Sequence, residues 1–321
     1  MRRIKKCTVF LLLLCLLLNL AGCAAAQKPL PATLVLKTVT EVAEFWGTLL
    51  SGVEKAAEEY GVELKVLTSP REIDIDKQIE LIRQVTADKP DVMILSAADY
   101  DRCAEATEEA IAAGIGVVAI DTDVNAAGRA CFVGSNSYEI GLEMGRAMAS
   151  YLPEGGKVAV IQHMLTTTTG IERTRGVLDA LNEAGNIEIL GSFCCDNSTE
   201  QAQTITTELL SADPEIRGFV CTNEVCNVGA ANALVELGMG GRVYVVGCDN
   251  SQRQIQFLEQ NIIQAIVTQR PFNMGYVAVQ QAVRVANGEQ TDDFVEVSCV
   301  LITRENMYTQ ENQKLLFPVL R

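Results

Sequence analysis

The sequence predicts an α/β fold made of two similar, doubly wound (Rossmann-like) units with parallel sheets. From Thr33 onward, short β-branched runs alternate with amphipathic helical stretches. The strand runs are apolar almost throughout, which is typical of parallel strands covered by helices on both faces. A third observation is that the second half of the chain repeats the strand endings of the first half, and this indicates two units.

The first 32 residues are predicted to be an export signal and a tether. Four basic residues precede the apolar run Val9–Leu18, and Leu20-Ala21-Gly22-Cys23 follows. The apolar run is short for a membrane span, and this order of parts is typical of an export signal. The tetrapeptide resembles a bacterial lipoprotein signal, which implies a signal peptide over 1–22, a lipid on Cys23 and a tether over 23–32. An ordinary signal peptide with a chance cysteine is the alternative. Either places the protein outside the cytoplasm, and the lipid would make it membrane-anchored.

The charge of the chain argues against nucleic acid as a partner. The whole sequence has 26 basic and 41 acidic side chains. Residues 1–22 hold four basic and no acidic ones, so the remainder has 22 against 41 and a net charge of −19. Nucleic-acid binding requires basic surface that replaces the counterions of phosphate.

The elements follow one another in a regular strand–helix order. Strands are predicted at Leu34–Lys37, Glu63–Leu67, Val92–Ser96, Val117–Asp121, Lys157–Gln162, Ile187–Phe193, Gly218–Thr222, Val243–Cys248 and Ile262–Val267. Helical patterns lie between them at Phe45–Tyr60, Ile75–Ala87, Ala104–Ala113, Glu139–Tyr151, Arg173–Ala184, Gln201–Ser211 and Val225–Leu237.

Two pairs of segments show the correspondence between the halves. The run Pro90–Ser96 has a counterpart in Pro214–Thr222, and Gly116–Asp121 parallels Val243–Asp249. In each half, one buried strand ends at polar residues and a strand one βα unit later ends in aspartate. The two halves of the chain therefore echo each other, which indicates two similar units.

Four polar side chains are predicted to surround one cleft. Open α/β sheets bind ligands outside the carboxyl ends of their strands, where the strand order switches. Two units facing each other would bring together Ser96, Asp121, Asn223 and Asp249. Aspartates at strand ends often only cap the following helix, which is the competing interpretation.

Seven segments in order resemble the sugar-binding branch of the type I periplasmic binding proteins, the ribose- and galactose-binding-like family. They are Phe45-Trp46, Ala119-Ile120-Asp121, Val133-Gly134-Ser135-Asn136, Glu172-Arg173-Thr174-Arg175-Gly176, Thr222-Asn223-Glu224, Val246-Gly247-Cys248-Asp249 and Gln269-Arg270-Pro271. The resemblance extends from Thr33 to about Asn306. It implies two lobes joined by a three-crossing hinge, with the ligand cleft between them.

The resemblance also implies that each lobe is discontinuous in sequence. The crossings are expected near Gly134–Asn136, Val267–Arg270 and Glu296–Cys299. The N-terminal lobe then comprises residues 33–134 plus 270–296. The C-terminal lobe comprises residues 135–269 plus 297–321.

Five further ligand-binding residues follow from the resemblance. Arg175 offers a planar fork of donors for ring or hydroxyl oxygens, and Gln269 both donates and accepts. Phe45 and Trp46 would lie against the C–H face of a sugar ring, and Ser135 is a further polar candidate. The alternatives are a core role for the aromatic pair and an intrahelical ion pair for Arg175.

Departures from the family pattern bear on the ligand. Thr122 stands where pentose binders often have arginine, and Ala43 and Ser96 replace amide side chains. Asp123 adds an acid near the mouth of the cleft. These differences make a simple pentose doubtful and leave room for an amino sugar or another polyol-like solute.

No catalytic residue, metal site or cofactor is predicted. Eight cysteines follow Cys23, without a C-x-x-C pair, and His163 is the only histidine. Such spacing does not suit zinc. Buried thiols are the preferred interpretation, and a disulfide between strands is the alternative.

The predicted function is capture of a sugar-like small molecule by hinge closure, by a monomer that delivers it to an ABC permease and its ATPase. A receptor that presents the closed state to a chemoreceptor or sensor kinase is the alternative. An enzyme using aspartates across the cleft is the third class, and the absence of a nucleophile or metal motif argues against it.

Overall fold

The structure, a computed structural model, describes residues 29–38 and 44–317. The predicted signal peptide, Cys23 and most of the tether lie outside these residues, as does Ala43. Numbered in chain order, the elements are β1 (Leu30–Leu36), α1 (Glu44–Tyr60), β2 (Val62–Thr68), α2 (Ile75–Asp88), β3 (Val92–Leu95), α3 (Ala104–Ala112), β4 (Gly116–Ile120), β5 (Cys131–Gly134), α4 (Ser137–Tyr151), β6 (Gly156–Gln162), α5 (Thr168–Ala184), β7 (Ile187–Cys194), α6 (Thr199–Ala212), β8 (Ile216–Cys221), α7 (Glu224–Glu236), β9 (Tyr244–Cys248), α8 (Gln252–Glu259), β10 (Ala265–Thr268), α9 (Pro271–Ala286), β11 (Phe294–Glu296), β12 (Val300–Thr303) and α10 (Gln310–Leu316).

The strands form two six-stranded sheets with matching orders. The first sheet has the order β11-β5-β4-β3-β1-β2, and the second has β12-β10-β9-β8-β6-β7. Every neighbouring pair in the first sheet is parallel. The second sheet is also parallel except for the antiparallel pair β10–β12. The predicted parallel α/β architecture and the correspondence between the halves are confirmed.

Helices cover both faces of each sheet. Because successive side chains of a strand point to opposite faces, most residues of the inner strands are then buried and apolar. In β1, Leu34 packs with α1 and α9, whereas Val35 packs with α2 and α3. In the second sheet, Val158 of β6 packs with α4 and α5, and Ala159 packs with α6, α7 and α8. This arrangement explains why the strand runs are apolar without alternation.

The chain passes between the sheets three times. The first passage, residues 135–136, joins β5 to α4, and the second, residues 269–270, joins β10 to α9. The third, residues 297–299, joins β11 of the first sheet to β12 of the second. All three fall within the segments expected for the hinge.

Several boundaries differ from the predicted ones. Strand β1 begins at Leu30, so the end of the predicted tether belongs to the sheet and pairs with β2. Helix α5 begins five residues before Arg173, at Thr168, because the Thr167 hydroxyl accepts a hydrogen bond from Gly170 N–H and caps it. Strands β5, β11 and β12 were not predicted, since they have only three or four residues and carry no clear period.

The buried cysteines all belong to the hydrophobic clusters on the faces of the two sheets. All eight that follow Cys23 are free thiols, and six are buried. No group of three or more His, Cys, Asp or Glu residues suited to a metal occurs in the part of the chain that the structure describes. Within those same residues, no helix is both long and apolar enough to cross a bilayer.

Candidate ligand-binding cleft

A cavity between the two sheets contains side chains from both lobes. It lies at the carboxyl ends of the strands, beside the positions where the order switches between β1 and β3 and between β6 and β8. Its lining residues are Lys37, Phe45, Trp46, Glu72, Asp121, His163, Thr169, Arg173, Asn197, Asn223, Glu224, Val225, Asp249 and Gln269. Six of the nine predicted ligand-binding residues are among them: Phe45, Trp46, Asp121, Asn223, Asp249 and Gln269.

Asp121 and Asp249 occupy equivalent positions in the two lobes. The backbone N–H of Asp121 donates to Val133 O of the next strand, and that of Asp249 donates to Val267 O, both at 2.9 Å. Both residues adopt left-handed backbone conformations, with φ of 63° and 76°. Aspartate tolerates this region better than most residues because its short polar side chain bonds locally. Each carboxylate is 6% exposed and lines the cavity.

A buried ion triad forms the wall on the N-terminal lobe. Lys37, the residue after β1, has Nζ 3.5 Å from Glu72 Oε2 and 3.6 Å from Asp121 Oδ2. Burial raises the pKa of Asp121, and the ammonium of Lys37 opposes that rise. The ammonium also lies 5.1 Å from the centre of the Trp46 ring, in cation–π contact. Trp46 Nε1 donates to Glu72 Oε1 at 2.8 Å, so the indole face is held at the cavity.

Asp249 is held in place by the C-terminal lobe. Its Oδ1 accepts a hydrogen bond from Gln269 Nε2 at 2.7 Å, and its Oδ2 accepts one from Glu224 N–H at 3.0 Å. Asn223 caps α7, since its Oδ1 accepts from Cys226 N–H, while its Nδ2 donates to Asn197 Oδ1. Gln269 lies in the second hinge passage, so the hinge and the carboxylate are directly connected.

The expectation for Arg175 is wrong, and Arg173 takes its place. Arg175 is 58% exposed, pairs with Glu172 and stacks on Tyr138 at 4.5 Å. Two residues along a helix lie about 200° apart around its axis, so the two arginines point to opposite sides. Arg173 is 3% exposed and lines the cavity. One nitrogen donates to Thr222 O at 2.9 Å, and its Nε has no hydrogen-bond partner.

Ser96 and Ser135 are buried but do not line the cavity. The Ser96 hydroxyl is 3.0 Å from Thr122 Oγ1, which in turn donates to Ala97 O. The Ser135 hydroxyl donates to Val297 O at 2.8 Å and so joins the first hinge passage to the third. The expectation that they face a ligand is corrected to a structural role, because neighbouring main-chain and hydroxyl groups use their hydrogen-bonding capacity.

Asp123 does not add a free acid to the mouth of the cleft. Its Oδ1 lies 2.6 Å from Arg129 Nε, and both side chains are largely buried. Arg129 also pairs with Asp293. The carboxylate that suggested an amino sugar is therefore neutralised by a cation of its own lobe.

His163 lies in the cavity wall, where sequence reasoning did not place it. It follows β6 as Lys37 follows β1, and its Nδ1 is 2.7 Å from Thr222 Oγ1. Its Nε2 is 3.2 Å from Thr169 Oγ1. Burial, together with the charges of Arg173 and Lys37, lowers the pKa of His163 well below its usual value. The ring is therefore a neutral hydrogen-bonding group.

Glu224 is the least compensated acid of the cavity. It is the first residue of α7 and is 7% exposed. Burial and the negative charge of Asp249 raise the pKa of Glu224 to about 8. At neutral pH its carboxyl is therefore mostly protonated and able to donate a hydrogen bond.

A second, larger cavity adjoins the first one. This outer cavity has a volume of about 440 Å³. It shares Phe45, Glu224 and Asp249 with the first cavity, which we call the inner cavity. Its other walls come from α1, α9, α10, the loop at residues 250–251 and the hinge residue Arg270. The inner cavity is where charged groups of both lobes converge, and for that reason we regard it as the binding position.

The lobes also contact each other at the rim of the cleft. Tyr100 N–H donates to Thr166 O at 2.9 Å, and Asp123 N–H donates to Thr168 Oγ1 at 3.1 Å. At the other end, the Glu44 carboxylate accepts from Gln252 N–H. These bonds can form only when the lobes are close together.

Comparisons with known proteins agree with this arrangement. The family profile described as "Periplasmic binding protein domain" matches residues 34–290. The D-allose-binding periplasmic protein of Escherichia coli (strain K12) is 25% identical over 303 residues, covering 90% of this chain and 96% of that protein. The D-ribose/D-allose-binding protein of Pseudomonas aeruginosa is 26% identical over 289 residues, covering 86% and 89%.

Solved structures share the fold. An ABC transporter periplasmic solute binding protein from Actinobacillus succinogenes, with bound D-allose, has a TM-score of 0.80 and 26% identity. The alignment covers 87% of this chain and 98% of the chain of that structure. A sugar transporter from Clostridium phytofermentans has a TM-score of 0.79 and 29% identity, covering 86% and 99%.

Proposed function

Because this chain belongs to the periplasmic binding protein family, we propose that it captures a sugar or sugar-like polyol and delivers it to an ABC importer. The observation that carries the proposal is the opposed pair Asp121 and Asp249, which line one buried cavity from two lobes. A carboxylate accepts hydrogen bonds from two hydroxyls, and the faces of Phe45 and Trp46 suit the C–H side of a ring. The relatives whose names include D-allose and D-ribose support the same ligand class.

The geometry supports binding by closure of the lobes. The ligand would contact both lobes, and the rim hydrogen bonds would form as they close. Binding proteins of this kind are known for hinge closure around ligands. The protein is proposed to bind without converting its ligand, so prolonged incubation should return every sugar unchanged.

We propose a lipid-anchored location outside the cytoplasm, with Cys23 acylated and the membrane contacted only through the lipid. Separately, we propose that the N-terminal lobe comprises the residues of the first sheet and its helices, and that the C-terminal lobe comprises those of the second sheet and its helices. The partners would be the permease and its ATPase, and the protein would act as a monomer. The proposed export and lipid anchor are supported by the order of charges and apolar residues before Cys23.

A thermal-shift screen of the full-length protein tests the function. The probes are pentoses, hexoses, hexosamines and inositols. A ligand that binds only the folded state raises the melting temperature by mass action. We expect at least one probe to do so, and Asp249→Ala to abolish its effect, since losing a buried charged acceptor costs several kcal/mol of binding. A folded protein that responds to none of the probes would contradict the proposal.

A further inference from the structure

Two of the six acidic and basic residues that line the inner cavity lack both an ion-pair partner and a full set of hydrogen bonds among the described residues. Lys37, Glu72 and Asp121 form the triad, and Asp249 accepts two hydrogen bonds. The remaining two are Arg173 and Glu224. Neither forms an ion pair with another of residues 29–38 and 44–317, yet both are more than nine-tenths buried. Asp121 and Asp249 stabilise the charge of Arg173, but its Nε has no hydrogen-bond partner. Burying an acid or a donor without a partner is costly, so a ligand group is expected beside Glu224 and beside the Arg173 Nε.

The surroundings of Glu224 are acidic. After burial, the charge of Asp249 raises the pKa of Glu224 most, Glu44 and Glu72 raise it less, and a hydrogen bond with Ser251 lowers it. Arg270, Glu311 and Lys314 line the outer cavity that Glu224 also borders. Within the inner cavity, the ammonium of Lys37 is held by two other carboxylates, and Arg173 bonds to Thr222 O.

The charges of the inner cavity do not balance. His163 is neutral and Glu224 is mostly protonated at neutral pH. The carboxylates of Glu72, Asp121 and Asp249 then face only the cations of Lys37 and Arg173. A ligand with one positive charge offsets part of this negative charge, whereas a neutral ligand offsets none of it.

We propose that the ligand carries a protonated amino group that lies beside Glu224, so that the cleft selects an amino sugar or aminated polyol over its neutral counterpart. This inference rests on the proposed function and narrows its ligand class. The free Nε of Arg173 would take a ring or hydroxyl oxygen of the same molecule, because guanidinium donates and cannot accept.

One consequence is release of a proton when the ligand binds. An ammonium group next to Glu224 stabilises the ionised carboxylate and lowers its pKa. At about pH 6.5, where Glu224 is protonated in the free protein, binding of an amine is therefore expected to expel a proton into the buffer. Binding of the neutral counterpart is expected to expel none from this group.

The experiment is titration calorimetry of the full-length protein with matched probes. Glucosamine, galactosamine and mannosamine are each compared with the parent hexose and with the N-acetyl derivative, which has the same substituent position but no charge. Each titration is repeated in two buffers of different ionisation enthalpy, which reports the number of protons released. Glu224→Gln tests the residue, and Glu200→Gln is the control, because Glu200 also lies in the first turn of a helix but is exposed.

We expect at least one amine to bind about tenfold or more tightly than both its parent and its N-acetyl form, with proton release. In Glu224→Gln the ratio between amine and parent should fall towards one and the proton release should vanish. Glu200→Gln should retain both. If a neutral sugar binds and no amine binds more tightly, or if Glu224→Gln retains the preference, this inference is wrong while the proposed function stands. If nothing in the panel binds, this inference fails, and the wider thermal-shift screen decides the proposed function.

Discussion

At the scale of single residues, the ends of strands were the most informative positions. Asp121, Asn223 and Asp249 were predicted from polar residues after buried strands, and they line the cavity. Lys37 and His163 follow the switch-point strands β1 and β6 and carried the same signal. They were missed because a single lysine or histidine after a strand also suits a solvated loop. Glu72 lies in the loop between β2 and α2, where the sequence has no periodic pattern.

Arg173 and Arg175 provide a test with a matched control on one helix. Lysine keeps the charge but cannot bond Thr222 O and ligand oxygens with one planar fork. We expect Arg173→Lys to weaken ligand binding about tenfold or more, and Arg175→Lys to change it less than about twofold. Calorimetry with the tightest probe measures both. Equal losses in the two variants would refute the assignment of Arg173.

Glu224 gives a prediction for pH dependence. The folded protein keeps this proton up to about pH 8, whereas the unfolded chain loses it near 4.5. The folded state thus binds more protons in this interval, so the free energy of unfolding falls as pH rises, by up to ~1.4 kcal/mol per pH unit. Between pH 6.5 and 8 the unfolded chain still loses part of a proton from His163, which acts in the opposite direction, so the contribution of Glu224 is taken as the difference in slope between the original protein and Glu224→Gln.

Urea unfolding of ligand-free protein at several pH values in that window measures the slope. Glu224→Gln cannot ionise and should flatten it, whereas Glu200→Gln should keep the slope of the original protein. Parallel profiles for the original protein and Glu224→Gln would show that this carboxyl ionises normally.

At the scale of elements, the strand–helix order was predictable but the phase of α5 was not. The sequence pattern began this helix at Arg173, whereas the Thr167 cap begins it at Thr168. A family resemblance matches residues by their order in a motif and does not say which way a side chain points around a helix. For this reason the resemblance indicated Arg175, which points outward, instead of Arg173. Packing decides the phase: Gly141 of α4 and Gly176 of α5 meet backbone to backbone.

Gly176→Ala should therefore destabilise the protein and displace Arg173. A Cβ at residue 176 would lie 2.2 Å from Tyr138 O and 2.8 Å from Leu142 N. Both are main-chain atoms, so helices α4 and α5 must separate. We expect a loss of about 1–3 kcal/mol in the free energy of unfolding, with weaker ligand binding.

Gly47→Ala is the matched control within a helix. A Cβ there meets no described atom within 4 Å, and alanine favours a helix by about 0.5–1 kcal/mol over glycine. Chemical unfolding should show a small gain for Gly47→Ala and a loss for Gly176→Ala. A loss of similar size in both would contradict the importance of the glycine contact.

At the scale of the whole molecule, the three hinge passages were placed by resemblance alone. The segments at residues 135–136, 269–270 and 297–299 have no linker character, since they are short and only Ser298 among these seven residues is exposed. Lobes built from distant parts of a chain leave no boundary in local patterns. The rim contacts between lobes, such as Asp123 N–H with Thr168 Oγ1, also could not be read from the sequence.

Thr168→Val should shift the lobes towards the open arrangement. The substitution removes the hydroxyl that accepts from Asp123 N–H and keeps the shape of the side chain. One hydrogen bond contributes about 0.5–1.5 kcal/mol, so we expect affinity to fall about two- to tenfold. Small-angle scattering with and without ligand, together with calorimetry, measures the shift.

Thr204→Val is the control, because its hydroxyl bonds to Glu200 O within the exposed face of α6 and contacts no other lobe. It should leave affinity unchanged. Equal effects of the two valine variants would mean that the rim bond does not stabilise closure.

The discontinuous first lobe also sets an order in which the chain acquires its structure during synthesis. Its sheet face over β1 and β4 is only partly covered until α9 is made, since α1 and α9 cover this face together. The two helices are so close that a Cβ on Gly275 would lie 2.2 Å from Leu49 O. The second sheet gains five of its six strands from one continuous stretch, residues 156–268. A chain that is still being synthesised can therefore form most of the second sheet before the first lobe is completed. If the protein is exported as proposed, its first lobe would still be unfolded when it enters the export channel.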